Sequence, residues 1–126
     1  MAHILLVDDD STNIELASAM LEQAGHRVQC ASSGEACIAL ASANLPELVL
    51  LDVQMPGMDG VEALRRLRAD PRTAALKVYA LTALAMKGDR ERLLAAGFDG
   101  YLEKPSRYKA FLAAVELALG RPGERG

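Results

Sequence analysis

Five polar side chains lie at or just after the ends of short runs predicted to be β-strands, and together they have the chemistry of a phosphoryl-transfer site. They are Asp8, Asp9, Asp52, Thr82 and Lys104. Three carboxylates brought together repel one another, and a hard divalent cation with oxygen ligands, Mg²⁺, would relieve that repulsion. A carboxylate beside the cation could act as a nucleophile and become an aspartyl phosphate. Lys104 could then pair with one phosphoryl oxygen, and Thr82 could donate a hydrogen bond to another.

The elements that must position these side chains alternate between strand-like and helical patterns. Strands are predicted over residues 4–7, 28–31, 48–51, 78–81 and 100–103, with a helix after each. The first, third and fourth runs are continuously apolar, which is typical of central strands, whereas the second and fifth contain polar residues, which suits edges. We therefore predict an α/β fold with five parallel strands in the flavodoxin-like order 2-1-3-4-5. In such a sheet the five polar side chains meet at the carboxyl edge.

Capping residues and glycines mark the predicted helix ends. The signals are Asp10 before the first helix, Ser32 with Glu35 before the second, Asp59 with Glu62 before the third, and Gly25 and Gly97 after the first and fourth. The fourth helix is predicted over about residues 87–96. Helical periodicity predicts inner faces made of Ile14, Ala17, Leu21 and Ala24; Ala36, Ala39, Leu40 and Ala43; Val61, Leu64 and Leu67; and Tyr108, Phe111, Leu112, Val115 and Leu119.

Length, charge and hydropathy restrict the class of protein. The 126 residues suit one domain, predicted over residues 1–120, and residues 121–126 are predicted to be a flexible tail. A net charge of −3 argues against nucleic acid as a direct partner. No segment resembles a signal peptide or a membrane span, so we expect a cytoplasmic protein without membrane contact. Two further groups are interpreted as structural: a solvated face for Arg65, Arg66, Arg68, Arg90 and Arg92, and buried or half-buried apolar positions for Cys30 and Cys37.

Four segments resemble the receiver domains of two-component response regulators, in family order and spacing. They are residues 4–10, 50–60, 80–83 and 100–105, and Asp-Val-Gln-Met-Pro-Gly-Met-Asp-Gly at 52–60 is the most specific. The resemblance implies that Asp52 accepts a phosphoryl group from a histidine kinase or histidine phosphotransfer protein. It implies Mg²⁺ ligands at Asp9, Asp52 and the backbone carbonyl of Gln54, with Asp8 contributing largely through water. It also implies a domain that catalyses only its own phosphorylation and dephosphorylation and is not otherwise an enzyme.

The same resemblance implies a conformational switch. Thr82 would move toward the phosphoryl group and Tyr101 would turn inward. The surface formed by the fourth helix, fifth strand and fifth helix would then change for a downstream protein, and a phosphorylation-linked homodimer is compatible with this scheme. The segment 83–91 resembles stand-alone regulators and receivers of hybrid kinases more than transcription factors. No output domain follows residue 119, so we expect a stand-alone receiver that acts by protein–protein contact, although the short tail could also begin a linker.

Two positions depart from the family pattern. Gln54 stands where many members have Asn, and with Leu84 it flanks the path of the water that hydrolyses the acyl phosphate. The lifetime of the phosphoryl group is therefore open. Tyr79 is bulkier than the usual aliphatic residue of the fourth strand, and the sequence offers no functional reason for it.

Other functions fit the sequence less well. In a haloacid-dehalogenase-like phosphohydrolase, Asp8 would be the nucleophile and Asp10 the acid/base, but that family needs a further acidic strand end and would leave Asp52 without a role. A phosphorylation-independent binding module on the same fold usually lacks one of the acids or the lysine, and here all are present. A flavin site would need a Ser/Thr/Gly-rich phosphate loop after the first strand, where the acids would repel the flavin phosphate.

Overall fold

Strands and helices alternate along the whole chain. The computed structural model describes residues 2–83, 88–104 and 108–120. The strands are β1 (His3–Val7), β2 (Arg27–Ala31), β3 (Leu48–Asp52), β4 (Val78–Thr82) and β5 (Gly100–Glu103), and the helices are α1 (Ser11–Gln23), α2 (Gly34–Asn44), α3 (Gly60–Ala69), α4 (Asp89–Ala96) and α5 (Tyr108–Leu119). All neighbouring strands are parallel, in the order β2-β1-β3-β4-β5. The predicted α/β fold and strand order are therefore confirmed.

Alternate residues of the central strands supply two separate apolar layers. On one face, side chains such as Leu5, Val49 and Ala80 pack against α2, α3 and α4. On the other, Leu6 and Leu50 pack with residues of α1 and α5. Strands β1 and β3 are covered on both faces, which explains why their sequences are apolar without interruption. No helix of the described residues combines the length and apolar character needed to cross a bilayer.

Two of the three predicted helix caps are confirmed and one is wrong. The side chains of Asp10 and Asp59 accept hydrogen bonds from backbone N–H groups in the first turns of α1 and α3. Helix α2 is capped by Ser33, whose hydroxyl accepts from the N–H of Ala36 at 3.1 Å, and not by Ser32. The predicted inner face of α2 is only partly correct, since Ala36 and Leu40 pack against the core. The buried residues of α2 are Gly34, Cys37 and Ala41, whereas the predicted inner residues Ala39 and Ala43 are exposed.

Four further side chains differ from their predicted environments. Cys30 is exposed because it lies on the edge strand β2, whereas Cys37 is buried. Tyr108 begins α5 and is 41% exposed, so it does not belong to the inner face. Ala24, the C-cap of α1, is also exposed. Arg68 is not a solvated residue: its guanidinium donates to the carbonyls of Ala74, Leu76 and Gly97 and pairs with Asp99, and so joins two loops. Residues 84–87 and the predicted tail 121–126 lie outside the described residues.

A glycine on the neighbouring strand makes room for the large side chain of Tyr79. Tyr79 is in register with Gly100 across β4 and β5. A Cβ atom on Gly100 would lie 2.5 Å from the Tyr79 ring, so only glycine leaves room for the aromatic side chain. The ring therefore covers the backbone of the edge strand β5 at its first residue.

The carboxyl-terminal half of α5 is fixed to the end of the sheet where the strands begin. His26 is buried, accepts from the N–H of Ala2 at 3.1 Å and contacts Glu116 Oε2 at 2.7 Å through Nε2. The ammonium of Lys77, just before β4, donates to the carbonyl of Ala118 at 2.7 Å. These contacts lie at the end of the fold where the strands begin.

Leu45 provides a test of backbone strain in this fold. It ends α2 with a φ of 47°, in the left-handed region, and is 53% exposed. This conformation costs a residue with a Cβ roughly 1–2 kcal/mol. We expect Leu45→Asn to raise the free energy of unfolding by about 0.5–1 kcal/mol in urea titrations, because Asn tolerates left-handed helix ends.

The matched control is Leu117→Asn, since Leu117 is 65% exposed within α5. There the same change should lower the free energy of unfolding by about 0.5 kcal/mol through helix propensity alone. Destabilisation by both variants would contradict the strain at Leu45.

Candidate functional site

The register of β1 and β3 brings the predicted acids together. Val7 pairs with Leu51, so the next residue of each segment, Asp8 or Asp52, lies at the carboxyl edge of the sheet beside the other. One carboxylate oxygen from each of Asp8, Asp9 and Asp52 lies within 4.8 Å of the others. Asp8 and Asp52 are buried and Asp9 is exposed. The acids thus form a compact group of two buried carboxylates and one exposed carboxylate.

Lys104 reaches this group from β5. Its Nζ lies 3.2 Å from both Asp8 Oδ2 and Asp52 Oδ2. The backbone N–H of Lys104 donates to the carbonyl of Thr82 at 2.6 Å, which continues the β4–β5 pairing one residue beyond the strand. Because the backbone is held in this way, the ammonium is directed at the acids rather than at solvent.

The surroundings of Asp52 disfavour its ionised form. Burial and, to a smaller extent, the neighbouring Asp8 raise the pKa of Asp52 to about 6, against the opposing effect of Lys104. Burial acts to lower the pKa of Lys104, but the Asp52 and Asp8 carboxylates outweigh it and hold that pKa above its ordinary value. One lysine therefore does not offset the repulsion among these acids, and a further cation would be stabilised here.

Two buried polar atoms at the site have no hydrogen-bond partner among the described residues. They are Asp8 Oδ2, whose contact with Lys104 is not aligned as a hydrogen bond, and the hydroxyl Oγ1 of Thr82. A buried hydroxyl left unpaired is costly and uncommon. Both atoms are therefore available to a group that binds at this edge of the sheet.

Gln54 contacts Asp52, whereas Tyr101 lies in the apolar layer of the sheet. The N–H of Gln54 donates to Asp52 Oδ1 at 3.2 Å, while its side chain is exposed. Tyr101 is partly buried and packs against the apolar layer beneath α2, α3 and α4. Ala80 pairs with Tyr101, and Thr82 with Glu103, so Thr82 and Tyr101 lie on the same face of adjacent strands.

Gly60 is a site residue to which the sequence assigned no role. It begins α3, and its N–H donates to the carbonyl of Val53 at 2.9 Å. A Cβ atom here would collide with the Asp52 carbonyl and lie 2.8 Å from Val53 Cα. Glycine is therefore required for α3 to begin directly against the strand that carries Asp52. The Asp-Gly pair at 59–60 was the available signal; Asp59 was interpreted as a helix cap, and Gly60 was included only as part of the motif at 52–60.

A cleft of about 350 Å³ opens in front of the site. Its described lining residues are Asp52, Val53, Gln54, Leu81, Thr82, Ala83, Asp89, Arg92, Leu93 and Lys104. Asp9 does not line it, and Asp8 and Asp9 border a smaller hollow of about 270 Å³ on the α1 side. Arg92 was predicted to lie on a solvated helix face together with Arg90, and its position at the cleft was missed because α4 could not be oriented from the sequence.

The donor set fits a magnesium ion. The available ligands are carboxylate oxygens, which Mg²⁺ prefers, and three carboxylates lie beside a single ammonium. Asp8, Asp9 and Asp52 would supply the oxygens, and the exposed position of Asp9 would leave room for water molecules on the ion. Asp10 is not a member of this group, because its carboxylate accepts from the N–H groups of Thr12 and Asn13 at the start of α1.

Curated relatives of the chain are response regulators. PleD, a response regulator of Caulobacter vibrioides, is 42% identical over 104 residues, which are 82% of this chain and 23% of PleD. DivK, a polar-differentiation response regulator of Brucella ovis, is 32% identical over 117 residues, which are 93% of this chain and 95% of DivK. The chain thus spans about a quarter of PleD and nearly all of DivK.

A solved structure and a family model agree with these relatives. The receiver domain of the sensor histidine kinase PA1611 from Pseudomonas aeruginosa, 33% identical, superposes with a TM-score of 0.84 over 95% of this chain and 98% of that one, and holds a magnesium ion in its active-site cleft. The model of the response regulator receiver domain matches residues 4–116. With this match across almost the whole described chain, the protein belongs to the receiver-domain family of response regulators.

Proposed function

We propose that this domain accepts a phosphoryl group on Asp52 and uses the resulting change in charge to alter its surface for a partner protein. The observation that carries the proposal is the group formed by Asp8, Asp9, Asp52 and Lys104, with carboxylate oxygens within 4.8 Å of each other and the ammonium 3.2 Å from two of the acids. No other acidic group of this kind occurs among residues 2–83, 88–104 and 108–120.

Asp52 is suited to be the nucleophile. A carboxylate with a pKa of about 6 is mostly ionised at neutral pH and is more basic than an ordinary aspartate. An oxygen of Asp52 forms a bond to phosphorus as the bond from phosphorus to a histidine nitrogen of the donor breaks, and the leaving imidazole takes up a proton. Lys104 then pairs with a phosphoryl oxygen, and Thr82 donates its unpaired hydroxyl to another.

Mg²⁺, held by Asp8, Asp9, Asp52 and the backbone carbonyl of Gln54, would supply the positive charge that offsets the acids and the incoming phosphoryl group. Asp8 acts largely through water in this scheme. The family relationship and the magnesium ion in the Pseudomonas aeruginosa receiver support the assignment. The domain catalyses only its own phosphorylation and dephosphorylation.

The output is a movement of Thr82 toward the phosphoryl group, followed by an inward turn of Tyr101. The two residues lie on the same face of adjacent strands, so a shift of one changes the space open to the other. The surface that changes is α4, β5 and α5. The upstream partner is a histidine kinase or histidine phosphotransfer protein, the downstream partner is a protein, and the domain acts in the cytoplasm, with a phosphorylation-linked homodimer as one form of output.

Magnesium should stabilise the folded domain. At one hundred times Kd, a ligand that binds only the folded state adds about 2.7 kcal/mol to its stability, and we expect a matching rise in Tm on addition of Mg²⁺. Asp52→Asn should lose most of this rise. Asp10→Asn is the control, because it removes the same charge next to the site and Asn still caps α1. An unchanged Tm in the wild-type protein would rule out the metal site.

Intact-mass measurement after treatment with acetyl phosphate tests the phosphoacceptor. The wild type should gain one phosphoryl group only with Mg²⁺, and Asp52→Asn should gain none, because it lacks the nucleophile. Asp59→Asn should behave as the wild type, since Asn can still cap α3. Labelling that persists in Asp52→Asn but disappears in Asp8→Asn would instead support the phosphohydrolase hypothesis.

Lys104 should couple phosphorylation to the change of shape. Lys104→Ala is expected to keep its fold and to accept the phosphoryl group, but to lose the phosphorylation-dependent changes in backbone amide chemical shifts of β5 and α5. The control is Lys109→Ala, an exposed lysine of α5 away from the acids. A full set of shift changes in phosphorylated Lys104→Ala would remove the role assigned to this residue.

A further inference from the structure

Arg92 stands between two hollows on the surface of the domain. The cleft in front of Asp52 adjoins a second hollow of about 530 Å³ formed by the β3–α3 loop and the start of α3. Among the described lining residues, three border both hollows: Val53, Gln54 and Arg92. Arg92 is the only charged member of the three. It therefore lies where the two hollows adjoin.

An ion pair with the largely buried Asp89 holds Arg92 in this position. Its Nη2 lies 2.6 Å from Oδ1 of Asp89, one turn earlier on α4. The Asp89 side chain is only 18% exposed, whereas that of Arg92 is 63% exposed. A guanidinium has five N–H donors in a planar fork, so the contact through Nη2 uses only some of these donors.

The charge of the cleft makes a cation at its mouth useful. Asp8, Asp9 and Asp52 carry more negative charge than Lys104 offsets, and a bound Mg²⁺ would neutralise this excess without reversing it. A phosphoryl donor is itself an anion, so the group around Asp52 offers it no net attraction. A cation at the mouth lowers the energy of the approaching anion and raises its local concentration.

We infer that Arg92 recognises the phosphoryl group of the donor at the mouth of the cleft and favours donors with a doubly charged phosphoryl group, such as small acyl phosphates. This inference rests on the proposed function and adds a substrate-binding residue to it. Arg92 donates N–H hydrogen bonds and transfers no proton. As the phosphoryl group passes to an oxygen of Asp52, its bond to the acyl oxygen breaks and the carboxylate of the donor leaves with the electron pair.

The test compares phosphorylation rates in Mg²⁺ buffer for wild type, Arg92→Ala, Arg92→Lys and Arg90→Ala. Arg90 is the matched control, because it is an exposed arginine of the same helix that does not line the cleft. The donors are acetyl phosphate and phosphoramidate, which carries one fewer net negative charge. For acetyl phosphate, Arg92→Ala should lower the second-order rate constant roughly two- to fivefold relative to Arg90→Ala, the range expected of one exposed charge.

Two signatures separate recognition of charge from a general effect of the mutation. The loss should be smaller with phosphoramidate, and Arg92→Lys should recover part of the rate with acetyl phosphate. Raising the ionic strength should slow the wild type more than Arg92→Ala, because salt screens the attraction that the variant lacks. Melting curves of Arg92→Ala and Arg90→Ala verify that both variants are folded at the assay temperature.

Equal rates for Arg92→Ala and Arg90→Ala, or an equal loss with both donors, would overturn the inference. Either result leaves the proposed function intact provided that the wild type is labelled and Asp52→Asn is not. Absence of labelling in the wild type would instead refute the proposed function and the inference with it.

Discussion

The structure depends on one electrostatic constraint, the confinement of like charges at the carboxyl edge of a parallel sheet. Adjacent β1 and β3 end in acids, and their register leaves Asp8 and Asp52 no means of separating. Burial and mutual repulsion hold the pKa of Asp52 at about 6, even with Lys104 in contact. The folded chain therefore holds an unfavourable interaction between buried carboxylates. Binding of positive charge would relieve part of it.

The loops and the helix that follow the acids hold the carboxylates in this arrangement. Gly60 lets α3 begin against the backbone of Asp52, where a side chain would collide. The N–H of Gln54 holds one oxygen of Asp52, and the N–H of Asp10 holds one oxygen of Asp8 at 2.9 Å. These contacts come from the residues that immediately follow each strand. Short loops thus hold one oxygen of each buried acid, and Lys104, from a distant part of the chain, contacts the other.

The acids and the strand order were predictable because each depends on local sequence: a strand end is visible as a change from apolar to polar, and parallel connections bring such ends to one edge. The cap of α2 was not, since Glu35 stands three residues after Ser32 as in a capping box, yet the helix begins at Gly34 with Ser33 as its cap. Exposure of Cys30 and Tyr108 depends on which strand is at the edge and where a helix begins. Arg92 was missed for the same reason, because α4 has little amphipathic pattern to fix its rotation.

The contacts of His26 and Lys77 give α5 one anchored end and one end near the site. Glu116 and Ala118 are held at the base of the sheet, while Tyr108 follows Lys104 by four residues in the sequence. A helix of 12 residues is about 18 Å long, so a tilt of about 5° about the anchored end displaces the other end by about 1.5 Å. A tilt of α5 about its anchored end would therefore displace the helix most beside Tyr108 and very little at Leu119.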